Sequence, residues 1–218
     1  MDEFSTEQEQ IEELRKWWDE NKRYVVTGLV LGLAILFGYR AWVDMRNTRA
    51  EGASLQYSLL QDAIDGSDAA SAEAILATLS RDYAATPYLD QAYLAMARLR
   101  AESGDLDGAA EMLEAALGSR DKELARIARL RLARVRLAQG ELDAALEYVS
   151  NQDAGSYTGL YAELRGDIHL AAGRSAEAAT TYRAALDVEG DGLMNRALVE
   201  MKLAELGQPE FAANGQEN

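Results

Sequence analysis

Residue types that could carry out acid–base or metal chemistry are scarce in this sequence, and His169 is its only histidine. The chain of 218 residues contains no cysteine. These counts exclude disulfides, thiol catalysis, cysteine-ligated zinc, iron–sulfur clusters and any site that needs two histidines. His169 could still act as a general base or as a single metal ligand. Its place in the helical segment GDIHLAAG favours the alternative, which is that the imidazole packs in a core.

A second candidate for metal chemistry is the acidic turn DVEGDG at residues 187–192. A calcium loop places oxygen ligands at its first, third and fifth positions and a glutamate at its twelfth. The turn lacks that spacing, so we interpret it as a polar turn. The sequence also has no GxSxG motif, Walker loop or glycine-rich dinucleotide turn. We therefore expect a protein that is not an enzyme and that uses no metal or cofactor.

Arginines are concentrated in residues 122–139, KELARIARLRLARVRLAQ, although the chain as a whole is acidic. Its 22 Lys and Arg residues against 37 Asp and Glu residues give a formal charge of −15, which argues against nucleic acid as a partner. The basic strip could hold an acidic partner segment. We favour neutralisation by glutamates of flanking helices, because charged strips on helices are usually solvated or paired. The arginines are Arg126, Arg129, Arg131, Arg134 and Arg136, and the glutamates are Glu111, Glu114, Glu141 and Glu147.

The elements that must position these side chains are helices in repeated pairs. Three similar blocks, GDLDGAAEMLEAAL, GELDAALEYVS and GRSAEAATTYRAAL, start at Gly104, Gly140 and Gly173, at intervals of 36 and 33 residues. Glycine permits the turn between antiparallel helices, and a small residue lets the second helix approach the first. Each block has an alanine five residues after its glycine and a larger apolar residue four positions later: Ala109 and Leu113, Ala145 and Val149, and Ala178 and Tyr182.

This pattern and its period resemble the tetratricopeptide repeat (TPR), a helix hairpin that stacks into a solenoid. We expect an all-α TPR-like domain over residues 52–207, with repeats near 52–86, 90–118, 124–152 and 159–187. The first pair turns at Gly66, a capping helix covers 193–206, and a polar tail covers 208–218. Arg129, Arg136 and Gln152 depart from the repeat pattern. By TPR geometry, the first helices would line a groove for polypeptide with Leu94, Arg98, Leu130, Arg134, Leu137, Glu163 and Asp167.

One apolar segment near the N-terminus contradicts the polar average of the chain. Residues 24–39, YVVTGLVLGLAILFGY, carry no charge, and residues 24–43 would span about 30 Å as a helix, the hydrocarbon thickness of a bilayer. A buried soluble helix and a cleaved signal peptide are the alternatives. We favour an uncleaved transmembrane helix because 23 residues precede the segment, eight of them acidic. Residues 44–51 would form a linker, and the aromatic residues expected at the membrane interface are Trp17, Trp18, Tyr24, Tyr39 and Trp42.

The leader, residues 1–23, has apolar residues at helical spacing: Ile11, Leu14, Trp17 and Trp18. This spacing predicts an amphipathic helix on lipid or on a partner. A solvated helical extension with its tryptophans at the headgroups explains the leader equally well. Four basic residues before the span and three after it favour a cytoplasmic N-terminus.

The assembly of these parts resembles the YfgM-like family, the ancillary subunit of the SecYEG translocon in Gram-negative bacteria. The similarity lies in WWDENKRY before the span, YRAWVDMR after it, ATPYLDQAYLAMARL, and LRGDIHLAAGRSAEAATTYRAAL. The resemblance implies a single-pass inner-membrane protein with periplasmic repeats beside SecYEG. It also implies association with a PpiD-like membrane-anchored chaperone and delivery of unfolded or nascent secretory proteins to periplasmic folding factors. An alternative is a membrane-anchored TPR scaffold for envelope assembly or cell division with one defined folded partner.

Overall fold

A computed structural model describes residues 3–150, 153–188 and 193–207, with side chains from residue 10 onward within these ranges. The predicted tail, Gln152 and residues 189–192 of the acidic turn lie outside the described residues. Within them the chain is helical and contains no strand, which confirms the all-α prediction. The helices are α1 Glu3–Asp65, α2 Ala69–Asp82, α3 Pro87–Glu102, α4 Leu106–Ala116, α5 Lys122–Ala138, α6 Leu142–Val149, α7 Thr158–Ala171, α8 Ser175–Leu186 and α9 Arg196–Glu205.

The chain divides into two compact units, Met1–Glu51 and Gly52–Asn218. The first unit is the N-terminal part of α1, which includes both the leader and the apolar segment. This helix contains a stretch long and apolar enough to cross a membrane, and none of that stretch is buried against other residues. The leader side chains Ile11, Leu14 and Trp18 are also exposed. The predicted single N-terminal span is therefore confirmed as a helix of suitable length and composition.

In the second unit, glycines form the turns between paired helices as the repeats predict. Gly104, Gly140 and Gly173 have φ values of 84°, 81° and 73°, in the left-handed region that side chains with a Cβ rarely adopt. The first turn differs, because Ser67, not Gly66, takes the positive φ of 55°. Asp68 follows it and accepts a hydrogen bond from the backbone N–H of Ser71, which caps α2.

The small and large residues of the repeat pattern form the contacts between paired helices. Ala109, Ala145 and Ala178 are fully buried, and their larger partners Leu113, Val149 and Tyr182 fill the adjoining space. Four buried clusters follow one another along the chain, so each hairpin shares a core with the next.

The first helices of successive pairs touch one another, since α3 contacts α5 and α5 contacts α7. Helix α9 packs on α8 through Val199 and Leu203. This order places the side chains of α3, α5 and α7 on neighbouring surfaces, where the predicted groove residues are found.

Candidate functional site

A pocket lies between α3 and α5, and its rim carries three arginines. It has a volume of about 330 Å³. Arg98 and Arg134 were both predicted to line a groove, and the structure brings them together here. The third arginine, Arg131, belongs to the predicted basic strip but was not predicted as a groove residue. The pocket is lined by Ala97, Arg98, Ala101, Leu113, Arg131, Arg134 and Val135.

An adjoining pocket of about 230 Å³ shares Arg98 and Arg131 with the first. Its other walls come from the C-terminal part of α1 and from α3: Tyr57, Gln61, Gln91, Leu94 and Ala95. Leu94 is 7% exposed, so it forms part of the wall and is mostly buried in the core between α3 and α4. The two pockets form one surface, which we call the arginine site.

Two predicted groove residues on α5, Leu130 and Leu137, pack into a core and do not reach the arginine site. Leu130 is 4% exposed and packs in the same core as Tyr161 and Leu164 of α7. Leu137, seven residues later, packs against this core too. Arg134 lies one turn from each leucine, but its side chain is at the pocket rim, whereas neither leucine lines either pocket. Leu130 and Leu137 therefore support α7 and do not line the arginine site.

The two predicted acidic groove residues on α7 are bound by the chain itself. Lys202 of α9 donates hydrogen bonds to Glu163 at 2.8 Å and to the two carboxylate oxygens of Asp167 at 2.8 and 2.9 Å. The Tyr182 hydroxyl donates to Asp167 at 2.6 Å. Glu163 is only 7% exposed. Helix α9 therefore occupies the acidic end of the predicted groove, because its Lys202 binds both carboxylates.

Electrostatics explain why this cluster is stable when charged. Burial opposes the charge of Lys202, but hydrogen bonds to Asp167 and Glu163 outweigh burial, and the pKa of Lys202 is raised. Burial raises the pKa of the Tyr182 hydroxyl, and its hydrogen bond to Asp167 raises it further. The tyrosine therefore stays a proton donor to Asp167 at physiological pH.

The arginines of α5 divide into paired ends and an unpaired centre. Arg136 bonds Glu114 at 2.7 Å and Glu141 at 3.0 Å, which confirms two of the predicted neutralising glutamates. Arg126 pairs instead with Glu123 and, at 2.6 Å, with Asp153. In residues 10–150, 153–188 and 193–207, neither Arg131 nor Arg134 has a carboxylate within 4.0 Å.

The unpaired centre is electrostatically unfavourable for the fold. Burial lowers the pKa of Arg131, and the positive charges of Arg134 and Arg98 lower it further. Arg98 has two carboxylates nearby, Glu102 at 3.6 Å and Asp65 at 3.9 Å, and both are largely exposed. Exposed pairs at these distances are weak, so the arginine site keeps a net positive charge.

His169 does not join any candidate catalytic group. It is half-buried on α7, and its Nδ1 atom is buried without a hydrogen-bond partner. Burial lowers its pKa, and the charge of Arg174 lowers it further, so the imidazole is neutral near pH 7. No group of three His, Cys, Asp or Glu side chains in the described part of the chain is placed to hold a metal.

These features define a helical-repeat protein with one N-terminal helix suited to a membrane span and a charged, partly apolar surface between its first helices. The family model of the tetratricopeptide repeat-like domain matches residues 15–208. A relative from Haemophilus influenzae, named ancillary SecYEG translocon subunit, is 30% identical over 93% of this chain and 99% of its own length. Relatives of the same name from Escherichia coli and Neisseria gonorrhoeae are 27% and 25% identical over 94% and 92% of this chain, and over 99% and 97% of their own lengths.

The chain therefore belongs to the tetratricopeptide repeat-like proteins and, among them, to the family of ancillary SecYEG translocon subunits. This confirms the resemblance recognised in the sequence.

Proposed function

We propose that this chain is a non-catalytic ancillary subunit of the Sec translocon. The observation that carries the proposal is the match to relatives of that name along nearly their whole length, which includes the apolar helix and the repeats. The chain would be anchored in the bacterial inner membrane by α1, with its N-terminus in the cytoplasm and its repeat domain in the periplasm. This orientation agrees with the excess of basic residues before the span.

The role we propose is to hold unfolded or nascent secretory proteins for a short time and pass them to a PpiD-like membrane-anchored chaperone. Anchoring keeps the repeat domain near the exit of the channel and raises its effective concentration for emerging chains. Weak contacts between the repeat domain and an emerging chain are then sufficient for binding. The arginine site is the surface we propose for these contacts, because it combines exposed Arg98 and Arg134 with a small pocket whose apolar lining side chains are mostly buried in the core beneath it.

Purification of the full chain from membranes in mild detergent, with mass spectrometry of the bound proteins, tests this proposal. We expect SecYEG subunits and a membrane-anchored periplasmic chaperone at levels well above those in a control purification of an unrelated single-span protein. Absence of SecYEG subunits from the purified complex, with the chain itself intact, would refute the translocon assignment.

A scaffold for envelope assembly or cell division with one folded partner is the second candidate. One observation favours it: Lys202 occupies the acidic end of the predicted groove, which shortens the surface open to an extended chain. Crosslinking in cells from position 134 separates the two candidates. Many secretory proteins among the products support transfer of clients, whereas a single stoichiometric folded partner supports the scaffold.

A further inference from the structure

The arginine site combines positive charge and apolar walls in a way that specifies its ligand. We propose that it binds a polypeptide segment in which carboxylates flank a large apolar side chain, with the carboxylates on Arg98, Arg131 and Arg134 and the apolar side chain in the larger pocket. This inference rests on the proposed function in one respect, namely that the ligand is polypeptide. It adds the chemistry by which the segment is selected.

The positive charge of Arg131 and Arg134 is left without an internal carboxylate partner. The chain has 37 acidic residues against 22 basic ones. Three half-buried arginines have carboxylates: Arg100 has Glu73 at 2.8 Å, and Arg126 and Arg136 have two each. Three others, Arg129, Arg165 and Arg174, have none within 4.0 Å among the described residues, but they do not share a pocket rim. Arg131 and Arg134 have none among the described residues. An acidic ligand would supply the missing partner.

The walls of the larger pocket favour an apolar side chain next to the carboxylate. The side chains of Ala97, Ala101, Leu113 and Val135 make the larger pocket almost wholly apolar beneath its charged rim. A guanidinium binds a carboxylate through two parallel hydrogen bonds, and it does so more strongly when water is partly excluded. A carboxylate held at the rim would therefore direct a neighbouring apolar side chain into the pocket.

The adjoining pocket offers side-chain amide groups beside the charged rim. Gln61 and Gln91 lie in its wall, and Gln61 donates to the Tyr57 hydroxyl at 2.5 Å. Side-chain amides can both donate to and accept from the backbone of an extended segment without regard to its sequence. Arg98 and Arg131 belong to both pockets, so one segment can contact the amides and the charged rim together.

The ligand must compete with the carboxylates of the chain that already lie near the site. Asp65 and Glu102 approach Arg98 only, at 3.9 and 3.6 Å, and both are mostly exposed. Tyr157 is the other titratable group that faces Arg131. At Arg131 and Arg134 an incoming carboxylate therefore replaces water with a charge-assisted contact, whereas at Arg98 it competes with two weak, exposed ion pairs.

The test measures peptide binding to the full chain in nanodiscs of phosphatidylcholine, which adds no net lipid charge. The probe is a fluorescent twelve-residue peptide with two glutamates on each side of a leucine, followed by anisotropy. One comparison peptide has glutamine in place of each glutamate, and another has serine in place of the leucine. We expect each comparison peptide to bind at least about tenfold more weakly than the probe.

The decisive variant is Arg131→Gln with Arg134→Gln, and its matched control is Arg120→Gln with Arg196→Gln, two exposed arginines outside the site. We expect the first to weaken binding of the glutamate peptide about tenfold per arginine and the control to leave it unchanged. Neither Arg131 nor Arg134 makes an ion pair in the described chain, so the variant should fold. Its melting temperature checks this.

Three outcomes would overturn the inference. These are equal binding of the glutamate and glutamine peptides, equal binding by the variant and its control, and binding of inorganic phosphate without binding of the peptide. The result of the peptide test is distinguishable from the result of the test of the proposed function. Loss of peptide selectivity while SecYEG subunits still copurify refutes this inference alone, and selective binding without SecYEG subunits refutes the translocon assignment alone.

Discussion

The contact of Lys202 with Glu163 and Asp167 makes the capping helix α9 a strong determinant of the stability of the repeat domain. Replacing Lys202 with methionine keeps the apolar stem and removes the ammonium group, which leaves two carboxylates facing each other without a cation. Removing one partner of a fully buried pair costs about 3–5 kcal/mol. The Asp167 side chain keeps 29% of its exposure, so water can partly replace the lysine. We therefore expect a loss of about 2 kcal/mol in the free energy of unfolding.

The assay is urea unfolding of the full chain in nanodiscs, followed by circular dichroism, with Lys122→Met as the matched control for an exposed lysine. Adding Glu163→Gln should recover part of the stability. A loss below about 0.5 kcal/mol at pH 7, or no recovery when Glu163→Gln is added, would refute this account of the cluster.

The raised pKa of Lys202 also fixes the direction of the pH dependence in the unmodified chain. A raised pKa in the folded state means that the stabilisation is complete below the ordinary lysine pKa and is lost as the pH rises through the raised value. Neutral and mildly alkaline buffers therefore leave the cluster intact.

Three further predictions concern the fold, the arginine site and the membrane topology. Gly166→Ala should lower the free energy of unfolding by about 1–3 kcal/mol, because the added Cβ would lie 2.4 Å from the Tyr182 ring of α8. Gly118→Ala is the control: its added Cβ would lie 3.5 Å from the nearest atom, so it should not destabilise the fold. Urea unfolding compares the two variants. Arg131→Gln should leave the melting temperature unchanged or raise it by no more than about 2 °C, because the repulsion it relieves is between exposed arginines and is screened by water; a clear decrease would contradict the unpaired charge we describe. The chain lacks cysteine, so single cysteines report topology: a membrane-impermeant maleimide should label Arg120→Cys and not Gln10→Cys in cells with a permeabilised outer membrane.

The helical repeats were predictable from the sequence because their signals are local. Gly104, Gly140 and Gly173 are needed for backbone conformations within a few residues, and the alanines after them pack on the immediately preceding helix. Ser67 shows the limit of this reasoning. It adopts the left-handed conformation beside a glycine that was the expected choice, because hydrogen bonds of the turn, including one from the Ser67 N–H to Ile64, hold it there.

The candidate site was predicted less completely because it depends on how each helix is rotated. Spacing along α5 did not distinguish Leu130, which packs towards α7, from Arg131, which faces the pocket. Comparison of the repeats would have predicted Arg131 as a site residue. Arg131 stands two residues before Ala133, just as Ala95 stands two residues before Ala97, and both Arg131 and Ala95 line the smaller pocket.

Long-range pairing was beyond local pattern analysis. Lys202 reaches Glu163 across 39 residues, and Asp153 reaches Arg126 across 27. Each contact depends on where the chain returns after a complete hairpin. The sequence shows that such charges exist but not which of them meet.

Crosslinking in cells tests most directly whether the arginine site faces translocated chains at the membrane. A photoreactive amino acid at position 134 of the full chain, with position 120 as the control, would be activated while a secretory protein is arrested in the translocon. We predict a crosslink to the arrested chain from position 134 that depends on translocation and is much weaker from position 120. Equal crosslinking from both positions, or none from position 134 while SecYEG is bound, would contradict the claim.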